Sequence, residues 1–141
     1  MNIKLVLIGT IILAAMFALA CGGSAGGGAG KTIVSGPAGD EMTATLANAD
    51  GVLRKGGQSF TLTFTDKGGK PVDVGAVALN YRMPAMGSMA EMNNGAIFKS
   101  SGTPGVYNGK VDLEMSGEWQ AMITYEGPAG TGAFKLPVVV K

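Results

Sequence analysis

Apolar and polar residues alternate with a period of two along most of the chain after residue 30. In the clearest run, 59–65, Phe60, Leu62 and Phe64 share one face and three threonines occupy the other. This alternation is typical of β-strands with one buried face. Further strands are predicted over 72–81, 106–114, 118–125 and 134–140, with weaker candidates at 41–47 and 96–99. The pattern predicts an all-β domain of about seven strands.

Turn-forming residues separate these strands, as in Asp-Lys-Gly-Gly-Lys-Pro at 66–71 and Ser-Gly at 116–117. Short strands joined in this way predict an immunoglobulin-like antiparallel β-sandwich over residues 31–141. Trp119 is expected at the centre of the core, and Tyr107, just after a turn, at the position of a tyrosine corner. Pro137 cannot donate to a strand ladder, so the last strand is expected at a sheet edge.

The first 20 residues have a different pattern. Lys4 precedes an uncharged, mostly apolar run over 5–20, and Cys21 follows. This is typical of a signal peptide, and the run is short for a helix that spans a membrane. Residues 17–21, Phe-Ala-Leu-Ala-Cys, resemble a bacterial lipobox, which predicts a lipoprotein signal helix at 1–20 and lipidation of Cys21. Ordinary cleavage after Ala20 is the alternative.

Residues 21–30 are predicted to be a flexible linker, because Gly-Gly-Ser-Ala-Gly-Gly-Gly-Ala-Gly follows Cys21. Nine such residues have a root-mean-square reach of roughly 15–18 Å. A lipid on Cys21 would anchor the folded part to a membrane of the bacterial envelope. Gly22 lacks the retention signal of the inner membrane, so in a Gram-negative source the outer membrane facing the periplasm is expected.

Composition restricts the possible chemistry. The chain has 141 residues, no histidine, one cysteine and a formal net charge of +1. Its length indicates one domain. The absence of histidine excludes a Ser-His-Asp triad, histidine-ligated zinc and a blue-copper centre, and a single cysteine excludes an intrachain disulfide. The near-zero charge gives no support for nucleic-acid binding, and no nucleophile–base pair is recognisable, so the protein is not expected to be an enzyme.

The segment 83–95 does not fit a regular sandwich strand. Met83, Met86, Met89 and Met92 recur every third residue. A proline and a glycine within the run disfavour a regular helix, so a loop or irregular crossover is predicted. A helical turn over 86–92 is the alternative, and it would bring the last three of these methionines onto one face.

Thioether sulfur is a soft, uncharged ligand that binds without losing a proton. Such ligands select copper(I), and by similar chemistry silver, over zinc, magnesium or calcium. The four methionines are therefore candidate metal ligands, with Glu91 and Asn93 either adding an oxygen ligand or only solvating the segment. Methionine also fills gaps in cores and forms adaptable contact surfaces, so packing and partner binding remain open from spacing alone.

Three segments together resemble the YtkA-like domain family. They are Val-Ala-Leu-Asn-Tyr-Arg-Met-Pro-Ala-Met-Gly at 77–87, Gly-Val-Tyr-Asn-Gly-Lys-Val-Asp-Leu at 105–113 and Ser-Gly-Glu-Trp-Gln at 116–120. The resemblance also includes Gly-Lys-Pro-Val at 69–72 and extends over about 41–141. It implies an envelope β-sandwich module, commonly lipoprotein-anchored, with no catalytic residues to transfer.

The family resemblance also implies a functional setting. Its members occur near or within heavy-metal efflux and copper-delivery systems, and the methionine run maps onto Met83, Met86, Met89 and Met92. Many relatives carry a histidine within or just after that run, where this chain has Ser88. Copper(I) is therefore the expected metal, with an efflux or copper-delivery protein as the expected partner. An interaction module that docks an envelope partner without metal is the alternative function.

Overall fold

The computed structural model describes residues 30–141, and every regular element within them is a β-strand. The nine strands are β1 (Lys31–Pro37), β2 (Met42–Asn48), β3 (Gly56–Asp66), β4 (Ala76–Met83), β5 (Met92–Gly95), β6 (Ile97–Ser100), β7 (Val106–Leu113), β8 (Gly117–Gly127) and β9 (Gly130–Val140). The predicted signal helix, the lipidation site at Cys21 and most of the linker lie outside the described residues.

The strands form two antiparallel sheets. One sheet has the order β1-β2-β3-β7-β6 and the other has the order β5-β4-β8-β9. Alternate side chains of both sheets are buried between them, which is the arrangement of a β-sandwich. The predicted all-β antiparallel sandwich is confirmed, and β9 lies at a sheet edge as Pro137 predicts.

Most strand positions agree with the hydrophobic pattern, and the differences have local causes. Strand β4 begins at Ala76 instead of residue 72, because Gly75 has a φ of +79° and its N–H is capped by the Asp73 carboxylate at 2.9 Å. Two strands beyond the expected seven are present, β1 and β5. Strand β1 has no fully buried position and an irregular register between Thr32 and Val34, so its alternation is weak.

Trp119 is buried in the core as the sequence predicts, although it lies near the start of β8 and not midway along the sandwich. Its side chain is 1% exposed, and its indole Nε1 donates to the carbonyl of Met115 at 3.1 Å. The face of β3 predicted to be buried is also inside. The largest fully buried side chains are Trp119, Tyr81, Phe64, Leu46, Leu53, Leu62, Leu113, Ile123, Val74 and Val140.

Tyr107 connects the two sheets but does not form the expected tyrosine corner. Its hydroxyl donates to the carbonyl of Gly75 at 2.9 Å, 32 residues upstream, instead of to a carbonyl a few residues away. The bond joins β7 of one sheet to the segment that precedes β4 of the other. The hydroxyl is a donor at neutral pH, and partial burial raises the pKa of Tyr107 further.

The strand directions assign every loop to one of two ends of the sandwich. Loops 49–55, 84–91 and 114–116 lie at one end, together with Lys31 at the start of β1 and the C-terminal residue Lys141. We call this the hairpin end. Loops 38–41, 67–75, 101–105 and 128–129 lie at the other, which we call the far end. Backbone hydrogen bonds between Lys141 and the 53–55 segment link the two sheets at the hairpin end.

Candidate metal-binding site

The four methionines lie in the β-hairpin that connects β4 to β5, which we call the Met hairpin (residues 83–92). Met83 is directly opposite Met92 at the last rung of the β4–β5 ladder. Nearer the tip, Met86 and Met89 exchange backbone hydrogen bonds of 3.1 and 2.9 Å across a two-residue turn. Gly87 in that turn has a φ of +57°. The methionines thus form two cross-strand pairs, and the helical turn over 86–92 is wrong.

The two pairs differ in exposure. Met86 and Met89 at the tip are 63% and 38% exposed, whereas Met83 at the base is 4% exposed. Met92 is partly buried and packs against the core. The reason lies in strand parity, because Met83 continues the inward-facing series Leu79 and Tyr81 of β4. The hairpin therefore presents an exposed methionine pair at its tip and a pair at its base in which Met83 is buried and Met92 is partly buried.

The spacing of the exposed pair suits one soft ion. Residues that exchange both backbone hydrogen bonds in an antiparallel pair have Cα atoms about 5.5 Å apart, and their side chains lie on the same side. Two metal–sulfur bonds of roughly 2.3 Å require sulfurs at most about 4.6 Å apart. The flexible side chains of Met86 and Met89 can meet this requirement without movement of the backbone, because the turn already fixes their Cα atoms.

A groove beside the hairpin is lined by two of the four methionines. Met83 and Met86 both line it, and its volume is about 460 Å³. The opposite wall comes from β8 and β9. The remaining lining residues are Pro84, Glu118, Trp119, Gln120, Pro137, Val138 and Val139. Of the four predicted ligands, the structure therefore brings Met86 together with Met89 at the tip and with Met83 in the groove, while Met92 is directed to the core.

A polar ladder on the hairpin engages the oxygen ligands considered from sequence. Arg82 donates to Glu91 Oε2 at 2.6 Å, and Asn93 donates to Glu91 Oε1 at 3.0 Å. Asn80 in turn donates to Asn93 at 2.9 Å. The Arg82 hydrogen bond, assisted by Asn93, lowers the pKa of Glu91 to about 2. Both oxygens of the Glu91 carboxylate already accept hydrogen bonds, so this side chain stabilises the hairpin.

The other ligand types do not form a competing cluster in the part of the chain that the structure describes. Within residues 30–141, no group of three His, Cys, Asp or Glu side chains is placed to hold a metal ion. Carboxylate-rich sites are the ones that bind calcium or magnesium. The candidate ligands on the Met hairpin are thioethers, which form a different and softer class.

Sequence reasoning missed the pairing of the methionines, although a signal for it is present. Gly87-Ser88 is a two-residue connection with glycine first, a composition that favours a tight hairpin turn. The mostly polar Met-Asn-Asn-Gly segment of β5 shows no alternation of apolar and polar residues, so the second strand of the hairpin was not predicted. The groove could not be predicted from the local sequence, because β8 and β9, which are distant in the chain, form part of its lining.

Fold and hairpin together define an antiparallel β-sandwich that carries a pair of exposed thioethers at one end. A family model described as YtkA-like matches residues 38–124. Since the match covers more than half of the chain and includes the whole Met hairpin, this protein belongs to the YtkA-like family. Comparison with curated proteins finds no match. Among the described residues, no helix is long and apolar enough to cross a membrane.

Proposed function

We propose that this protein is a non-catalytic, lipid-anchored lipoprotein of the bacterial envelope that binds copper(I) or silver at the Met hairpin. In this role it serves metal efflux or copper delivery as an accessory protein. The observation that carries the proposal is the exposed Met86–Met89 pair, fixed by reciprocal backbone hydrogen bonds. Membership of the YtkA-like family supports the envelope setting.

Ligand chemistry supports a soft monovalent ion. The chain has no histidine, and its one cysteine, Cys21, is the expected lipidation site. The nearest carboxylate on the hairpin, Glu91, is paired with Arg82. Thioethers bind copper(I) and silver and bind hard divalent cations poorly. We therefore expect zinc, magnesium and calcium not to compete for the site.

Exposure of the tip supports transfer of the ion rather than permanent storage. An ion held by Met86 and Met89 is open to an incoming ligand, because all residues from 84 to 91 are exposed. Met83 offers a third thioether from the groove. Copper is therefore a cargo in this proposal, and the domain needs no large movement to accept or release it.

The test is an anaerobic copper(I) titration of residues 30–141 against a colorimetric chelator. The wild-type domain is expected to compete for about one equivalent of metal, one ion for the single exposed pair. Met86→Leu together with Met89→Leu is expected to abolish competition, because leucine keeps the volume and removes the sulfur. Met122→Leu is the matched control, since Met122 is 37% exposed on β8 but lies outside the hairpin.

The alternative function, docking of an envelope partner without metal, has one observation in its favour. Val139 is 56% exposed and, with Met86, borders the groove beside the hairpin. Exposed apolar side chains around a groove are typical of contact surfaces. If the wild-type domain fails to compete with the chelator, the metal-binding proposal is rejected. The groove is then the candidate site for docking an envelope partner.

A further inference from the structure

The Met hairpin lies at the end of the sandwich where the N-terminal linker enters. Lys31 begins β1 opposite Asn48, the last residue of β2, at the hairpin end. A Cβ atom added to Gly51 would lie 3.1 Å from the Cβ of Lys31, so loop 49–55 packs beside the start of the domain. The methionine tip and the chain entry therefore point in the same general direction.

The sandwich is longer than the expected reach of the linker. Strands β8 and β9 have 11 residues each, so the sandwich extends roughly 36 Å from end to end at about 3.3 Å per residue. For a Gly-rich linker over 22–30, as the sequence predicts, the expected root-mean-square reach is only roughly 15–18 Å. A lipid at residue 21 would thus keep the hairpin end nearer to the membrane than the far end.

We infer that the Met hairpin faces the membrane that anchors the protein, and that its partner is an integral protein of that membrane with soft sulfur ligands at its exposed mouth. The inference rests on the proposed lipid anchor and metal site. This orientation favours a partner within the membrane over a freely diffusing carrier, because the hairpin would then lie between the body of the domain and the lipid surface.

Charge at the hairpin end favours a protein partner over the lipid surface. Arg54 is paired with Asp50, and Arg82 with Glu91. The remaining charged side chains are of both signs: Lys31, Lys55, Lys141, Asp112, Glu114 and Glu118. Recognition of anionic headgroups requires a cluster of basic residues, which this balanced surface does not provide.

The orientation can be tested without metal. The mature chain, labelled with ¹³C at its methionine methyl groups, is coupled through Cys21, its only cysteine, to phosphatidylcholine vesicles containing a maleimide lipid and a gadolinium-chelate lipid. The methyl signals of Met86 and Met89 are expected to broaden several-fold more than that of Met42, which begins β2 at the far end. Equal or stronger broadening of Met42 would overturn the inference.

A second attachment point provides the matched control. The variant Cys21→Ser with Thr103→Cys couples through the exposed position 103 in the 101–105 loop at the far end. The broadening pattern is expected to reverse, with Met42 now more affected than the hairpin. If both attachments give one pattern, the domain adopts its orientation by binding lipid directly, and the membrane-protein partner is rejected.

The partner class is tested by transfer of copper(I). The acceptor is a single-span peptide with Met-x-x-Met at its exposed end, placed in the same phosphatidylcholine vesicles. Transfer is expected to be several-fold faster from the chain attached at Cys21 than from the chain attached at Thr103→Cys. Equal transfer rates from the two attached chains would overturn the membrane-protein partner but would not affect the chelator titration in solution. Failure of the chelator titration would instead reject the metal site itself.

Discussion

Two buried or half-buried tyrosines contribute differently to the fold. The Tyr107 hydroxyl donates to the Gly75 carbonyl and so links the sheets. The Tyr81 hydroxyl is buried and has no hydrogen-bond partner among the described residues, and burial raises its pKa. Tyr107→Phe is expected to lower the free energy of unfolding by about 0.5–1.5 kcal/mol, the net value of one hydrogen bond. Urea denaturation measures the change.

Tyr81→Phe is the matched control for that prediction. The ring remains and keeps its edge-on contact with Phe60, at a centroid distance of 6.0 Å, while a buried unpaired hydroxyl is removed. The free energy of unfolding is expected to stay the same or rise. Equal destabilisation by the two variants would mean that the Tyr107–Gly75 bond does not stabilise the protein.

The lowered pKa of Glu91 predicts that the stability of the protein depends on pH. Its pKa in the folded protein is about 2, below the ordinary value of 4.5, because Arg82 and Asn93 hydrogen-bond the carboxylate. A carboxyl with a lowered folded pKa stabilises above the unfolded pKa and loses that contribution as the pH falls through the folded pKa. Between about pH 4.5 and about 2, Glu91→Gln is therefore expected to flatten the loss of stability seen in urea midpoints.

Glu118→Gln controls for the loss of one negative charge. Glu118 is exposed at the same end of the sandwich and forms no ion pair among residues 30–141. Its stability profile is expected to follow that of the wild type. A wild-type slope that persists in Glu91→Gln would show that other carboxylates cause the acid sensitivity.

At the residue scale, sequence identified the core better than the site. Trp119 and the inward face of β3 follow directly from period-two alternation. The three-residue spacing of the methionines, in contrast, could not separate buried from exposed side chains. Strand parity assigns Met83 to the interior, but the positions of Met86 and Met89 depend on where the turn falls, which only the Gly87-Ser88 dipeptide indicates.

Two glycines in the five-stranded sheet have opposite environments. A Cβ added to Gly109 in β7 would lie 2.4 Å from the Phe60 ring, whereas one added to Gly57 in β3 would have no heavy atom within 4 Å. Gly109→Ala is expected to lower the free energy of unfolding by about 1–3 kcal/mol through overpacking. Gly57→Ala is expected to raise it by about 0.4–1 kcal/mol, because the unfolded chain loses freedom.

Thermal and urea unfolding of the two alanine variants measure this difference. Phe60 also packs edge-on against Phe98 of β6 at a centroid distance of 5.8 Å, so displacement of its ring disturbs that edge of the sheet. Similar stability of Gly109→Ala and Gly57→Ala would mean that the Phe60 ring moves aside at no cost, contrary to close packing.

The turn of the Met hairpin connects element geometry to metal binding. Gly87 has a φ of +57° and open space around it, so only backbone conformation limits substitution. Gly87→Val is expected to destabilise the turn by about 1–2 kcal/mol or more, since a β-branched residue opposes the left-handed conformation. The chelator titration is expected to give weaker copper(I) binding, because Met86 and Met89 lose their fixed spacing.

Gly87→Asn controls for the loss of glycine itself. Asparagine tolerates the left-handed conformation, so copper(I) affinity is expected to remain close to that of the wild type. If Gly87→Val binds the metal as well as Gly87→Asn does, the preformed turn is irrelevant to the site.

At the element scale, prediction succeeded where a strand has one clearly buried face. Strands β3, β7, β8 and β9 were predictable because their apolar residues alternate with polar ones in runs of seven to nine positions. Strand β5 was not predicted, because Met-Asn-Asn-Gly contains only one apolar residue. The strand is held mainly by its ladder to β4. Strand β6 connects to it through Ala96, where the chain passes from one sheet to the other, a change that no local pattern encodes.

The whole molecule extends beyond the residues matched by the family model. The match ends at residue 124, yet β9, from Gly130 to Val140, forms the edge of the four-stranded sheet. Leu136, Val138 and Val140 of this strand are buried in the core. Sequence predicted the strand from its alternation. It could not predict the sheet order, because long-range pairing depends on contacts between segments far apart in the chain.

This shared core predicts that the described domain unfolds as one unit. Trp119 is the only tryptophan and lies between the sheets, so its fluorescence reports their separation. Far-UV circular dichroism reports the strands themselves. For residues 30–141 in urea, the two signals are expected to give one midpoint and one slope, as small two-state domains do. Loss of the tryptophan signal at a lower urea concentration would mean that the four-stranded sheet separates first, and the hairpin would then be held by an independently unfolding half.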